Sequence, residues 1–325
     1  MIADSRIDRG LIGEPLIQGV SVVVPVFNSE ATLSTLVLEV TEVLEGQGME
    51  FEILLVNDGS RDGSWQAIES LAEKHRRVRG VNLSRNYGQH NATLCGLRLA
   101  KYDVSVTMDD DLQHPPKEIP KLLQTLDEGW DVVYGSFNQH QHSKMRNIFS
   151  KRTKALVGRA VGLQRVMDQS PFRAIRTDLR SAFVDYTGPD LLLDVLLGWG
   201  TSKFGTVPVE HRSRREGTTN YTPKRLFNMG ILLLTAYSTA PLRFVSWLGF
   251  GLTAFGISIL TYVIVLRVFV GSVPGFPFLA SLISIFSGAQ LFAMGLFGEY
   301  LTRVFNRALG RPTYVIKETI QQNEI

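Results

Sequence analysis

The residues with the most evident chemistry are Asp109, Asp110 and Asp111. A β-branched apolar run, Val104-Ser-Val-Thr-Met108, leads into them, and Pro115 and Pro116 stop the segment from continuing. A buried strand ending in carboxylates delivers them to the carboxyl edge of a sheet, where α/β folds bind ligands. Three adjacent carboxylates repel one another, which favours a divalent cation as partner. On an extended segment residues i and i+2 point the same way, so Asp109 and Asp111 can share one ion. Taken alone, an Asp-x-Asp after a strand is read equally well as a solvated acidic turn, and both readings stand at this point.

The elements that must position these carboxylates are legible as an alternation. Val20 to Val24 is a continuous apolar run closed by Pro25, the pattern of a buried first strand. Leu33, Leu36, Val37, Val40, Val43 and Leu44 then recur at helical spacing. Strands are predicted at Phe51 to Val56, Val78 to Leu83, Val104 to Met108 and Val132 to Gly135. Helical patterns lie between them, through Ile68-Leu71-Ala72, Ala92-Cys95-Leu99 and Ile119-Leu122-Leu126. Strand and helix in alternation imply a mostly parallel sheet with helices on both faces. Further on, Leu191 to Leu197 reads as a short apolar helix and Val207 to His211 as a last strand.

Several functions are excluded by what the strand ends lack. The first strand is followed by Pro-Val-Phe-Asn-Ser-Glu and not by Gly-x-Gly-x-x-Gly, which argues against a dinucleotide fold, and no P-loop sequence occurs. A net charge of +3 on 325 residues, with 20% of them charged, implies no polyanion partner and no nucleic acid. The single cysteine, Cys95, rules out an internal disulfide and reads as a core thiol. Polar and acidic residues do stand at successive strand ends: Asn28 and Glu30, then Asp58, then Asp109 to Asp111. Such an edge would suit a nucleotide with a metal-bound diphosphate.

Four segments carry a resemblance. Pro25-Val-Phe-Asn-Ser-Glu30, Asn57-Asp-Gly-Ser60, Arg85-Asn-Tyr-Gly-Gln-His90 and Asp109-Asp-Asp-Leu-Gln-His-Pro-Pro116 fall in the order and spacing of family 2 glycosyltransferases. More narrowly, from about Val20 to Tyr314 the chain resembles the polyprenyl-phosphate glycosyltransferases. The resemblance implies a nucleotide-sugar-binding GT-A-like α/β fold in a cytoplasmic catalytic domain over residues 1–222. It implies Mg2+ or Mn2+ on Asp109 and Asp111, with Gln113 beside them in the catalytic group. It gives the nucleotide-sugar donor to Pro25, Phe27, Asn28, Glu30, Asp58 and Asp110. Asp168-Gln-Ser-Pro-Phe-Arg173 matches the family segment before an acceptor-side arginine, so Arg173 is expected at the acceptor phosphate, where a guanidinium can make two parallel hydrogen bonds. His211-Arg-Ser-Arg-Arg-Glu-Gly-Thr-Thr-Asn-Tyr221 matches a loop that closes over donor and acceptor, adding Arg212 and Arg214; Thr219 and Asn220 replace the family's usual serine and lysine. The basic stretch Ser143 to Gly162 is either a solvated helix face or a surface for anionic headgroups or the acceptor phosphate.

The last third of the chain is strongly apolar. Lys224 to Ala240 has the composition of a helix lying in the membrane interface, assigned to residues 223–242. Phe244 to Leu266 and Phe278 to Gly298 are each about 20 residues, long enough to span, and form a two-helix transmembrane hairpin within residues 243–301. Lys224, Arg225 and Arg243 precede the first span; Arg303, Arg307, Arg311 and Lys317 follow the second. The loop from Gly271 to Pro277 has no Lys or Arg. The positive-inside rule then puts the catalytic domain, both termini and a tail over residues 302–325 in the cytoplasm of an inner-membrane protein. Ser284-x-x-x-Gly288 and Ala289-x-x-x-Ala293 permit close helix contact. Glu299 stands four residues before Arg303, the spacing of an ion pair. In relatives the tail assists assembly, so a homo-oligomer such as a tetramer is an expectation.

The chemistry implied is metal-dependent, inverting transfer of a sugar from a nucleotide-sugar donor to the phosphate of a polyprenyl phosphate, undecaprenyl phosphate in a bacterium. An ionised phosphate oxygen is already a nucleophile, so no strong general base is required. Two alternatives remain at this stage: a processive polysaccharide synthase, whose Gln-x-x-Arg-Trp pattern has no Arg-Trp counterpart here, and a non-catalytic membrane glycolipid-handling partner, against which the intact acidic cluster counts.

Overall fold

A computed structural model describes residues 17–136, 170–188, 191–212, 240–270 and 275–322. The chain forms two compact units. One is built from the described residues up to 136, from 170 to 212 and from 311 onward; the other holds the long helices before residue 311.

The first unit is an eight-stranded sheet. Its strands are β1 (Gly19–Val26), β2 (Glu50–Asn57), β3 (Val78–Leu83), β4 (Val104–Thr107), β5 (Val132–Ser136), β6 (Arg173–Arg176), β7 (Phe204–Pro208) and β8 (Ile316–Gln321). Their order is β7-β5-β6-β4-β1-β2-β3-β8. β1 pairs in parallel with β2 and β4, β2 with β3, and β5 with β7. The sheet is mostly parallel, as the alternation implies, with two strands running the other way. β6 runs antiparallel between β4 and β5, and β8 runs antiparallel along β3. Neither follows a strand-helix alternation: β6 returns after the 137–169 segment and β8 after the long helices. Periodicity over neighbouring residues carries no sign of such distant pairings.

The helices are α1 (Glu30–Gly46), α2 (Ser64–Lys74), α3 (Gln89–Leu99), α4 (Ile119–Asp127) and α5 (Leu193–Gly200). Side-chain alternation on the central strand divides the core. Val20, Val22, Val24 and Val26 pack with α1, α2 and α4, while Val23 packs with α3 and α5 on the other face. β1 is therefore apolar at nearly every position because both its faces are covered. Gly96 lets α3 lie directly on it, since a Cβ there would run into Val23. Cys95 is buried in this layer, and burial pushes its thiol up to about 12.

The second unit contains α6 (Ala240–Val270) and α7 (Phe276–Ala308). Among the described residues, one segment, Pro241–Val265 of α6, is long and apolar enough to cross a membrane. The two helices meet where Gly256 faces the Phe286 ring, and a Cβ at that glycine would lie 3.3 Å from it. Gly288, expected in a close contact, faces open space. Arg303 and Glu299 form the expected ion pair at 2.8 Å. The tail does not stand apart: Ile316–Gln321 belongs to the sheet of the first unit, slightly beyond the strand-like Tyr314-Val-Ile316. The basic stretch 143–162 and the interfacial stretch 224–239 lie outside the described residues, as does Arg214 with the turn after it.

Candidate active site

Three parallel strands, β4, β1 and β2, lie side by side, and their carboxyl ends carry the polar segments singled out in the sequence. After β1 the chain turns at Asn28, which takes a left-handed φ of 55°, a conformation Asn tolerates better than most residues. The turn is sewn to the one after β2. The Asn28 N–H donates to Ser60 Oγ (3.0 Å), and Asn28 Oδ1 accepts from the Arg61 N–H (2.8 Å). Ser29 N–H donates to Ser64 Oγ (2.9 Å), and Glu30 Oε2 accepts from the Gly63 N–H (3.1 Å). Gly59 is required where it stands. Its φ is 66°, and a Cβ would meet the backbone of Arg85 and Asn86 at 2.5 Å. Pro25 does not close β1 as expected: the strand runs through it to Val26, with Pro25 buried and paired in register with Val56.

The three aspartates do different things. Asp110 Oδ2 accepts from the Phe27 N–H (3.0 Å), and the Asp110 carbonyl accepts from Thr32 Oγ1 (2.6 Å), so the middle carboxylate ties β4 to the β1 turn. Burial raises its pKa, the bonds from Ser29 and Phe27 oppose that, and the Asp111 charge adds to it. Asp109 Oδ1 accepts from Gln89 Nε2 at 2.5 Å, a bond from the first residue of α3. Asp111 Oδ1 accepts from the Gln113 N–H (3.1 Å). Between them Leu112 has a φ of 60°, a left-handed non-glycine residue of the kind that concentrates at functional sites.

Asp58 is buried. Its two oxygens accept from the Tyr87 and Gly88 N–H groups at 2.7 and 2.8 Å, pinning the loop that leads into α3. Burial raises its pKa against those two bonds. A nucleotide reaching Asp58 would use the lone pairs these bonds leave. Phe27 is 45% exposed beside it, a ring available to stack on a base.

Arg173 is not the open fork that an acceptor arginine would present. It is 4% exposed and ion-paired with Asp194 of α5. Its Nε donates to Thr107 Oγ1 at 3.1 Å, and its guanidinium lies 5.7 Å from the centre of the Tyr134 ring. Burial opposes its charge, but Asp194, Tyr134 and Asp109 together outweigh burial and its pKa is raised. Tyr134 also donates to Asp194, at 3.0 Å. Arg173 thus links β6 to Thr107 of β4 and to α5. Arg212 is in reach of the turn: its N–H donates to the Gln113 carbonyl (3.0 Å), and its guanidinium pairs with both oxygens of Glu39 at 3.0 Å.

His90 and His114 behave as structural residues. His114 is buried, stacks on Phe172 with ring centres 5.4 Å apart, and is lowered to about 4 by burial, so it is neutral at pH 7. Burial and the Arg173 charge lower His90 likewise. Sequence reasoning missed Gln89, Thr32 and Asp194. Gln89 lay inside the Arg85–His90 motif with no role attached, and Asp194 was the one charge in an apolar helix.

No group of three or more His, Cys, Asp or Glu side chains converges among the described residues. Asp109 and Asp111 are hard oxygen donors, the type Mg2+ and Mn2+ take, and two carboxylates leave coordination positions for diphosphate and water oxygens, as those ions favour. The donor set fits such an ion.

Comparison with known proteins agrees with this geometry. Residues 21–183 match the family model described as glycosyl transferase family 2. The chain is 36% identical, over 93% of its length and 92% of the other, to an undecaprenyl-phosphate 4-deoxy-4-formamido-L-arabinose transferase of Shewanella sediminis. It is 36% identical to the protein of that name from Pseudomonas fluorescens, over 94% of this chain and 91% of the other. Among solved structures, a mannosyl-3-phosphoglycerate synthase from Rubrobacter xylanophilus shares the fold at a TM-score of 0.51, with 17% identity over 70% of this chain and 74% of that one.

Proposed function

The chain belongs to glycosyl transferase family 2, and from that premise we propose that this glycosyltransferase moves a sugar from a nucleotide-sugar donor to the phosphate of a polyprenyl phosphate, undecaprenyl phosphate in the cell. The observation that carries the reading is the acidic turn at the carboxyl end of β4. It is bonded through Asp110 to the β1 turn and through Asp109 to α3, beside the Asn57–Ser60 turn. The names of the relatives support the lipid acceptor.

Donor binding falls to the β1 and β2 turns. Phe27 stacks on the base, Asn28 and Glu30 shape the turn, and Asp58 holds the Tyr87-Gly88 loop against it. Asp109 and Asp111 would hold Mg2+ or Mn2+, an ion that would supply positive charge for a nucleoside diphosphate leaving group. Gln89 fixes the Asp109 carboxylate, and the Gln113 backbone fixes Asp111. Orienting bonds of this kind tune ligands behind the coordinating atoms. The lipid phosphate is ionised at pH 7, so this chain needs to orient it and exclude water more than to remove a proton. Attack on the anomeric carbon opposite the leaving diphosphate inverts that centre. Arg212 and Arg214 receive the lipid phosphate; Arg212 can exchange its Glu39 partner for it, both groups being partly exposed.

The membrane reading rests on α6 and the charge pattern. α6 spans, α7 returns as the second helix of a hairpin, the stretch 223–242 lies in the interface, and the catalytic domain over residues 1–222 works on the cytoplasmic side with both termini. Purified protein incubated with a panel of nucleotide sugars, undecaprenyl phosphate and Mg2+ or Mn2+ should yield a glycosyl-phospholipid with one of them. Release of free sugar with no lipid product from every donor would refute the acceptor.

A further inference from the structure

Three side chains lie in register across three neighbouring strands at the edge of the sheet. Asn57 is the last residue of β2 and pairs with Asn82 of β3, which pairs with Glu318 of β8. Both asparagines are buried, at 3% and 6% exposure. Their amides form one continuous row. Ser60 N–H donates to Asn57 Oδ1 (3.3 Å), Asn57 Nδ2 donates to Asn82 Oδ1 (2.8 Å), and Asn82 Nδ2 donates to Glu318 Oε1 (2.8 Å).

The two ends of this row dictate its direction. A backbone N–H can only donate, and an ionised carboxylate can only accept. Each amide between them has one donating and one accepting end. Only one orientation of both amides satisfies all three bonds, and it is the one observed. The Glu318 carboxylate and the Ser60 N–H therefore demand the same orientation of Asn82 and Asn57, and an acceptor at 318 lets all three bonds form together. Ser60 is the residue whose hydroxyl accepts from the Asn28 N–H, so the row ends on the paired turns of the donor site. A second contact runs alongside it: the Ser84 N–H donates to the Val315 carbonyl at the start of the loop that Asp58 pins.

We propose that Glu318, on the strand that follows the long helices, is a positioning residue for the donor-side turn Asn57–Ser60, acting through the Asn82 and Asn57 amides. Its effect on the donor rests on the function proposed above; its effect on the turn does not. The chain thereby makes donor binding depend on the seating of a segment that arrives 236 residues after Asn82.

The test uses full-length protein in detergent with Glu318→Gln and Glu318→Lys. Glutamine keeps an acceptor at the end of the row. Lysine puts a donor at both ends, so one bond of the row is lost; with the ammonium on Asn82 Oδ1, Asn82 and Asn57 turn over and the Ser60 N–H is left facing an amide NH2. Hydrogen exchange read by mass spectrometry on peptides covering residues 58–63 should speed up about tenfold in the lysine variant, the worth of one ordinary hydrogen bond. It should stay unchanged in the glutamine variant. Peptides covering β8 and β3 should keep their protection in both. The dissociation constant for the tightest of UDP, GDP and ADP with Mn2+ should rise about tenfold for lysine only, with the KM for polyprenyl phosphate unmoved. Unchanged exchange at 58–63 in Glu318→Lys overturns the proposal. Loosening of β8 together with the turn also overturns it, because Glu318 would then be an anchor of the strand. Equal effects of glutamine and lysine overturn the argument from acceptor direction. If the wild type binds none of the three nucleotides, the donor reading fails while the exchange result still decides the role of Glu318 in the turn.

Discussion

The pairing of Arg173 with Asp194 yields the sharpest stability prediction. The guanidinium is 4% exposed, Asp194 is 22% exposed, and the Tyr134 hydroxyl donates to the same carboxylate. Asp194→Leu would leave a buried cation and a buried phenol without their shared acceptor, and breaking such a pair from one side costs about 3–5 kcal/mol. Each kcal/mol moves the Tm of a domain of 150–250 residues by roughly 2–4 °C, so the midpoint should fall by roughly 6–20 °C. Arg173→Met with Asp194→Leu removes both charges and fills similar volume. That double variant should recover most of the loss, because a hydrophobic replacement of a buried pair is often neutral. Thermal unfolding of the four proteins of the cycle, followed by near-UV circular dichroism, gives the coupling directly. The KM for polyprenyl phosphate measured on the double variant separates structure from acceptor binding. A double variant as unstable as Asp194→Leu would refute the buried-pair account. Arg173→Met with an unchanged Tm and a KM for the lipid raised tenfold would return Arg173 to the acceptor site.

Three further outcomes are expected. Asp111→Asn should lower turnover by at least ~10²-fold, the scale of losing one strong electrostatic stabiliser, with little change in Tm; near-normal turnover of that variant in EDTA would remove the metal from Asp111. A cysteine placed by Ser272→Cys should be labelled by an impermeant reagent from the periplasmic side only, while a reporter fused after Ile325 reads cytoplasmic; labelling from the cytoplasm alone would break the hairpin. Native Cys95 should resist thiol reagents at pH 8 and react on unfolding. Burial raises its folded pKa to about 12 from an unfolded value near ~8.5. The folded state keeps the proton longer, so this contribution to stability is whole below about pH 8.5 and is lost as pH rises toward 12. Urea midpoints for wild type and Cys95→Ala should therefore converge across that window, and parallel curves would contradict the burial.

The sequence by itself determined the parts that depend on neighbouring residues. The five strands up to Val132 and the helices between them followed from apolar periodicity, because each element must bury one face or both. The acidic turn, the turns after β1 and β2 and the ion pair of Glu299 with Arg303 were likewise legible, since each is marked by residues within a few positions of one another. Tertiary structure alone decided what lies between distant segments. It inserted β6 where no local pattern marks a strand and paired both β6 and β8 antiparallel with strands far away in the sequence. It gave Asp110 to the Phe27 amide, Gln89 to Asp109, and Asp194 to Arg173. A side chain's partner across 20 or 80 residues depends on which strands become neighbours, and the spacing of like residues along the chain carries no record of that choice. The row from Ser60 to Glu318 is the extreme case: four ordinary polar residues become a single hydrogen-bonded unit only because β8 closes the sheet edge beside β3.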